Sequence, residues 1–241
     1  MQKCRILTAV LMVAMSLPAL AGGDDFGMWG EVNVEKKLGS RWTLGAGMEY
    51  RLRENMKTGD RFSVGVDASY KLTNWLKASA GYTLLDDHRN KVNDSGKKYG
   101  DYWGLRHRFN VSLTASQTFG RLNVSLRERW QYTYRPEKTV QRYYTSNDTE
   151  ADEHTYSGKG SNKWRNRLQL KYKLSPMWRP YASAESTVGN SLEKIRYAAG
   201  TEIRLNKQHS FDVKYIFQNS YGDDDDEGNR HIIALGYTFK F

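Results

Sequence analysis

Cysteine, proline and long apolar runs are all scarce in this chain. Its 241 residues include one cysteine and four prolines. Cys4 sits ahead of a short apolar stretch near the start, so the remainder has no thiol for a disulfide, a Cys-ligated zinc or a nucleophile. Beyond that stretch no apolar run is long enough to cross a bilayer as a helix, and the mean hydropathy is −0.76. A helical membrane protein is therefore excluded. Gly-rich phosphate loops, recognition helices and Cys/His fingers are also missing. The basic residues behind the net charge of +10 are spread along the whole chain. Nucleic acid is not an expected partner, and nothing in the sequence asks for a metal or other cofactor.

The first residues have the order of an export signal. Lys3 and Arg5 precede an apolar core from Ile6 to Ala14, and Pro18, Ala19, Leu20 and Ala21 supply an A-x-A cleavage site. Residues 1–21 are thus expected to be removed, leaving a single domain, 22–241, with two fewer positive charges. Cys4 lies before the apolar core rather than at the cleavage site, which argues against a lipid-modified N-terminus.

What the chain does have is alternation of period two, the signature of strands. Trp42, Leu44, Ala46, Met48, Tyr50 and Leu52 interleave with polar residues, and Phe62, Val64, Val66, Ala68 and Tyr70 repeat the pattern. Similar runs follow up to His231–Phe241. Short connections fall near Gly39, Thr73, Gly120, Pro176 and Asn206. Longer ones are expected near Asn55, from Lys91 to Trp103, from Pro136 to Ser161, near Gly189 and from Tyr221 to Gly228. This predicts an all-β, antiparallel up-and-down transmembrane β-barrel of about 10–12 strands, closed because open edges are not tolerated in lipid. Counting strands gives about eleven, whereas bacterial barrels usually have an even number. Either one strand is miscounted, or residues Gly22 to Trp29 thread the lumen, or the barrel closes with a parallel pair.

Three features favour a membrane setting over a soluble barrel. The polar faces of most strands carry arginine. Trp42, Trp75 and Trp178 lie by the short turns and Tyr50, Tyr82 and Tyr132 toward the long loops, as two interfacial girdles would require. The last strand ends on Tyr237, Phe239 and Phe241, which resembles the signal that barrel-assembly machinery reads. The expected location is the cell outer membrane. The expected partners are its lipid and lipopolysaccharide, with the assembly machinery during biogenesis; the oligomeric state is not encoded in any visible pattern.

Several segments carry a family likeness: Asp25-Phe26-Gly27-Met28-Trp29, Val34-Glu35-Lys36-Lys37-Leu38, Trp103 to Asn110, and Arg127-Glu128-Arg129-Trp130-Gln131-Tyr132. They resemble a family of uncharacterised outer-membrane proteins common in the Bacteroidetes group, domain of unknown function 2490. The likeness spans the expected exported chain. It implies fold and location only, because its motifs are strand patterns rather than catalytic signatures.

The inward face reads as an arginine–carboxylate lattice. Its cations are Arg51, Arg53, Arg61, Arg106, Arg108 and Arg127, continuing with Arg129, Arg165, Arg167, Arg196 and Arg204. Facing them are Glu31, Glu35, Glu49, Asp67, Glu185, Glu202 and Asp212. Such charges would fill and stiffen a narrow interior, or line an anion-selective pore or a site for an acidic ligand. A hydrolase is the alternative. His107 and Glu128 interrupt outward apolar faces of neighbouring strands, as a base and its orienting carboxylate would. However, counting from the Gly120 turn sets His107 opposite Tyr132. Asp86-Asp87-His88 has the residue types of an outer-membrane protease site without a second acidic pair. Asp223 to Glu227 suits either a divalent cation or a solvated loop. The expectation is a non-enzymatic outer-membrane barrel with a charge-lined lumen, at most a narrow pore; the alternatives are an outer-membrane lipid-modifying hydrolase and a surface-interaction protein acting through its long extracellular loops.

Overall fold

The computed structural model describes residues 25–221 and 229–241. The expected export signal, residues 1–21, and the acidic run Asp223–Glu227 lie outside them. Among the described residues there are thirteen strands: β1 (Asp25–Leu38), β2 (Trp42–Arg53), β3 (Thr58–Lys71), β4 (Leu76–Val92), β5 (Lys98–Phe119), β6 (Leu122–Arg135), β7 (Lys138–Tyr144), β8 (Glu150–Tyr156), β9 (Lys159–Tyr172), β10 (Trp178–Val188), β11 (Leu192–Arg204), β12 (His209–Ser220) and β13 (Arg230–Lys240). Eleven of them close into one barrel, and β7 and β8 form a hairpin outside its wall.

Eleven strands that alternate up and down leave the first and last running the same way. The seam is accordingly parallel, with β1 paired to β13 from Asp25–Arg230 to Glu35–Lys240. Of the three ways to accommodate an odd strand count, the barrel takes the parallel pair. Residues from Asp25 onward are wall, not a lumen thread, although the Trp29 side chain points inward. Every other ladder is antiparallel.

Outward positions carry aliphatic and aromatic side chains such as Val64, Val66, Leu113, Leu168 and Leu170, all exposed. Inward positions carry the charges. This inversion of a soluble core explains how a hydropathy so low coexists with a membrane-type fold. The turns at one end are tight. Between β5 and β6 only Gly120 and Arg121 intervene, and Gly120 takes a φ of 59°, a left-handed conformation that glycine adopts without a Cβ clash.

The other end departs from the expected loops. Lys91 to Trp103 is mostly strand, because β4 and β5 continue as a hairpin to a turn at Asn93–Gly96. Pro136 to Ser161 contains β7 and β8, which join that hairpin through Lys98–Tyr144 and Tyr99–Tyr143. Beyond the lipid both faces of a strand are polar or aromatic, so the two-residue period disappears from the sequence while the pairing continues. The connection at Gly189 is a tight turn of residues 189–191, closed by Gly189 N–H to the Ser191 carbonyl at 2.9 Å.

Register fixes the tilt. From Trp29 one way round, through Arg51, Arg61 and Asp87, the ladder reaches Gly104 of β5. The other way, through Ala234, Lys214, Gly200, Tyr181, Lys171 and Asn123, it reaches Thr118. Gly104 and Thr118 are fourteen residues apart, a stagger that tilts eleven strands by about 40°. A level circuit of the barrel thus shifts by roughly 1.3 residues per strand.

Candidate functional site

Applying that shift to Trp29 collects one level of the lumen: Trp29, Arg51, Ser63, Leu85, Arg108, Gln131, Arg165, Glu185, Arg196, Ile216 and Ile232. Leu85 and Ile232 are 1% exposed, and Ser63, Gln131, Glu185, Ile216 and Trp29 are buried as well. The ring of Trp29 lies between two guanidinium groups, Arg51 at 3.8 Å and Arg196 at 5.3 Å, an attractive arrangement for a cation on an aromatic face. Seven of the eleven side chains at this level are buried, and its four arginines are partly buried.

Two carboxylates organise the cations at and just beyond this level. Glu185 takes Arg127 and Arg165, with Arg196 at 4.0 Å. Asp87 takes Arg61, with Arg106 at 3.2 Å and Arg89 at 3.7 Å. Glu49 pairs with Arg51 at 2.6 Å. Neutral groups complete the network: Arg196 Nε donates to Gln218 at 2.7 Å and Arg129 Nε to Ser112 at 2.9 Å. Nearer the tight turns, Lys214 bridges Glu31 and Asp212 at 3.6 and 3.3 Å, and the Tyr181 hydroxyl donates to Asp212 at 2.8 Å. Lys240 pairs with Glu35 at 3.2 Å, while Lys171 and Arg204 share Glu202. Arg53 meets Glu54 at 3.4 Å. Arg108, Arg167 and Asp67 face inward without an ion pair among the described residues.

Below this level, at the tight-turn end, the barrel holds a cavity of about 750 Å³. Lys37, Arg41, Lys71 and Lys77 line one side. Arg121, Lys171, Lys173, Arg179 and Arg204 line the other. Thr43, Ser69, Thr114, Asn123 and Gln169 fill the intervals, and no Asp or Glu contributes to the lining. This basic vestibule opens away from the external hairpin.

The other candidates do not converge. The His107 Nδ1 meets the Tyr82 hydroxyl at 2.8 Å on the outer face. Its register partner is Tyr134, not Tyr132, because the two-residue turn pairs Phe119 with Leu122. Glu128 sits opposite Leu113, six positions away along β6, so the two are not brought together. Asp86-Asp87-His88 splits by strand parity: Asp87 enters the lattice, Asp86 lies opposite Phe62, and His88 stacks on Trp103 and bonds Asp101. Of the last-strand aromatics, Tyr237 meets His209 at 2.7 Å. Phe239 and Phe241 stack with centroids 5.7 Å apart, and Phe241 N–H donates to the Glu35 carbonyl at 3.0 Å. The C-terminal residue therefore fastens to β1 at the seam.

Among known sequence families, the one described as protein of unknown function (DUF2490) matches residues 26–229. The chain belongs to this family. No curated protein matches the DUF2490 barrel in sequence. Two solved structures share its fold. The translocator domain of the autotransporter NalP from Neisseria meningitidis is 13% identical, with 94% of each chain covered and a TM-score of 0.59. The β-domain of the Bordetella autotransporter BrkA is 17% identical, covering 84% of this chain and 82% of its own, with a TM-score of 0.54. At these identities the likeness is one of fold.

Three features of the DUF2490 barrel escaped the sequence reading: the lumen role of Trp29, the hub role of Asp87, and the basic vestibule. Parity held the signal for the first two. Trp29 shares its face with Glu31 and Glu35, and Asp87 shares its face with the buried Leu85. The vestibule had no such signal, since its cations come from turns and strand ends that only closure brings together.

Proposed function

We propose that this DUF2490 barrel is a non-enzymatic integral outer-membrane protein whose lumen is sealed, and which works at its two faces rather than as an open pore. The level of Trp29, Leu85, Glu185 and Ile232 carries this reading: its side chains leave almost no surface accessible to water. The exposed apolar wall and the fold shared with outer-membrane domains support the location. In that setting the tight turns face the periplasm and the hairpin of β7 and β8 projects outside. Planar-bilayer recording of the purified protein is the direct test. A silent membrane is the expected result, and reproducible single-channel steps from the wild-type protein would overturn the sealed reading.

A further inference from the structure

The vestibule holds more positive charge than the fold uses. Lys37, Lys71, Lys77, Arg121, Lys173 and Arg179 all line it, and none has a carboxylate within ion-pair distance among the described residues. Elsewhere in the lumen many cations are paired: Lys171 and Arg204 on the same rim share Glu202, and Glu185 and Asp87 gather arginines higher up. Of the carboxylates above it, Asp67 attracts Lys77 from a distance without forming an ion pair. Like charges facing one concave space repel, and low-dielectric walls focus their field into it. Filling alone would not require such an arrangement.

We propose that the vestibule binds a small, hydrophilic oligoanion, with phosphate groups as the best match. Arg121 and Arg179 offer forked N–H donors and the lysines compact point charges, the pairing that phosphate oxygens accept. The hydroxyl and amide side chains between them, among them Ser69, Thr114 and Asn123, suit a hydroxylated or heavily hydrated ligand. Only Trp42, Trp75 and Leu76 contribute large apolar side chains to the lining, and they belong to the strand ends and a turn rather than to an apolar floor. A lipid tail therefore has no seat. The volume falls in the range of small-molecule sites. The site does not depend on the seal: a barrel that conducts would still have it.

The test is calorimetric titration of the full-length protein, in a neutral detergent, with tripolyphosphate, and with citrate and neutral inositol as parallel arms. Tripolyphosphate should bind, citrate more weakly and inositol not at all. Removing two charge-assisted contacts with Lys71→Gln/Lys173→Gln should weaken tripolyphosphate by about tenfold or more. Lys57→Gln/Lys159→Gln removes the same charge from exposed positions at the opposite end and should leave affinity unchanged. Lys71→Arg/Lys173→Arg should retain binding, which separates charge from disturbed folding. Failure of the wild type to bind tripolyphosphate would overturn the site, as would equal losses in the two glutamine variants or loss in the arginine variant. Citrate binding more tightly would replace phosphate by carboxylate as the ligand chemistry.

Discussion

Replacing Glu185 by alanine removes the carboxylate that faces Arg127, Arg165 and Arg196 at the buried level of the lumen. The side chain is 8% exposed, so water cannot stand in for it. Taking one partner from a buried ion pair costs about 3–5 kcal/mol, because the charge left behind is uncompensated. A single charge-assisted hydrogen bond contributes about 1.5–3 kcal/mol. The three contacts share one carboxylate and do not add. The expected loss for Glu185→Ala is therefore about 3–5 kcal/mol. Glu185→Gln keeps the volume and one acceptor, and should cost roughly half as much. Urea unfolding from lipid vesicles, followed by tryptophan fluorescence, measures both. Asp67→Ala is the control, since Asp67 faces inward without an ion pair, and should cost under about 1 kcal/mol. Adding Arg165→Ala to Glu185→Ala removes one stranded cation and should restore part of the stability. Equal losses at Glu185 and Asp67, or a loss below about 1 kcal/mol at Glu185, would refute the view that the lattice is held by its carboxylate hubs.

Two further outcomes follow from the geometry. Trp29→Ala deletes the ring between Arg51 and Arg196 and should let small ions pass, seen as brief current steps in planar bilayers where the wild type is silent; continued silence would show that Trp29 is dispensable for the seal. Outside the membrane, hydrogen bonds from Arg142 and Lys98 hold the half-exposed Asp152 carboxyl below the usual range. Its contribution to anchoring the external hairpin is present above the unfolded-state pKa and lost as pH falls through the lowered folded value. Amide exchange in β7 and β8, corrected for intrinsic rate, should therefore speed up across that acidic window. Asp152→Asn should exchange fast already at neutral pH, and a pH-independent wild type would count against the anchor.

The wall was legible from period two wherever one face meets lipid, as in β2, β3 and β9. It faded where β4 and β5 leave the bilayer, because Asn90, Lys91 and Tyr99 give no apolar-polar contrast. The eighteen lumen charges could be assigned to a face by parity alone, but not to partners. Parity says that Glu185 and Arg196 both point inward. Only the fourteen-residue stagger places them at one level with Trp29. For the same reason the placing of Lys71 and Lys173, far apart in sequence, on one vestibule was invisible. The odd strand count was in the sequence, and geometry admits one way to close it.

That closure sets an order of events. Most ladders of the wall join neighbours in the chain, and β6 and β9 are separated only by the hairpin. The seam joins Asp25 to Arg230, about 200 residues away, and closing a loop of that length costs about 5 kcal/mol of chain entropy. Hairpins can form locally, while β1 must wait for the last strand to be made. The bonds it then forms are the slanted, slightly weaker ones of a parallel pair. Until they form, β1 and β13 are bare edges able to pair with any exposed strand. The fastening of Phe241 to Glu35 is thus the final stitch of folding, and the seam is where a stressed barrel would unzip first.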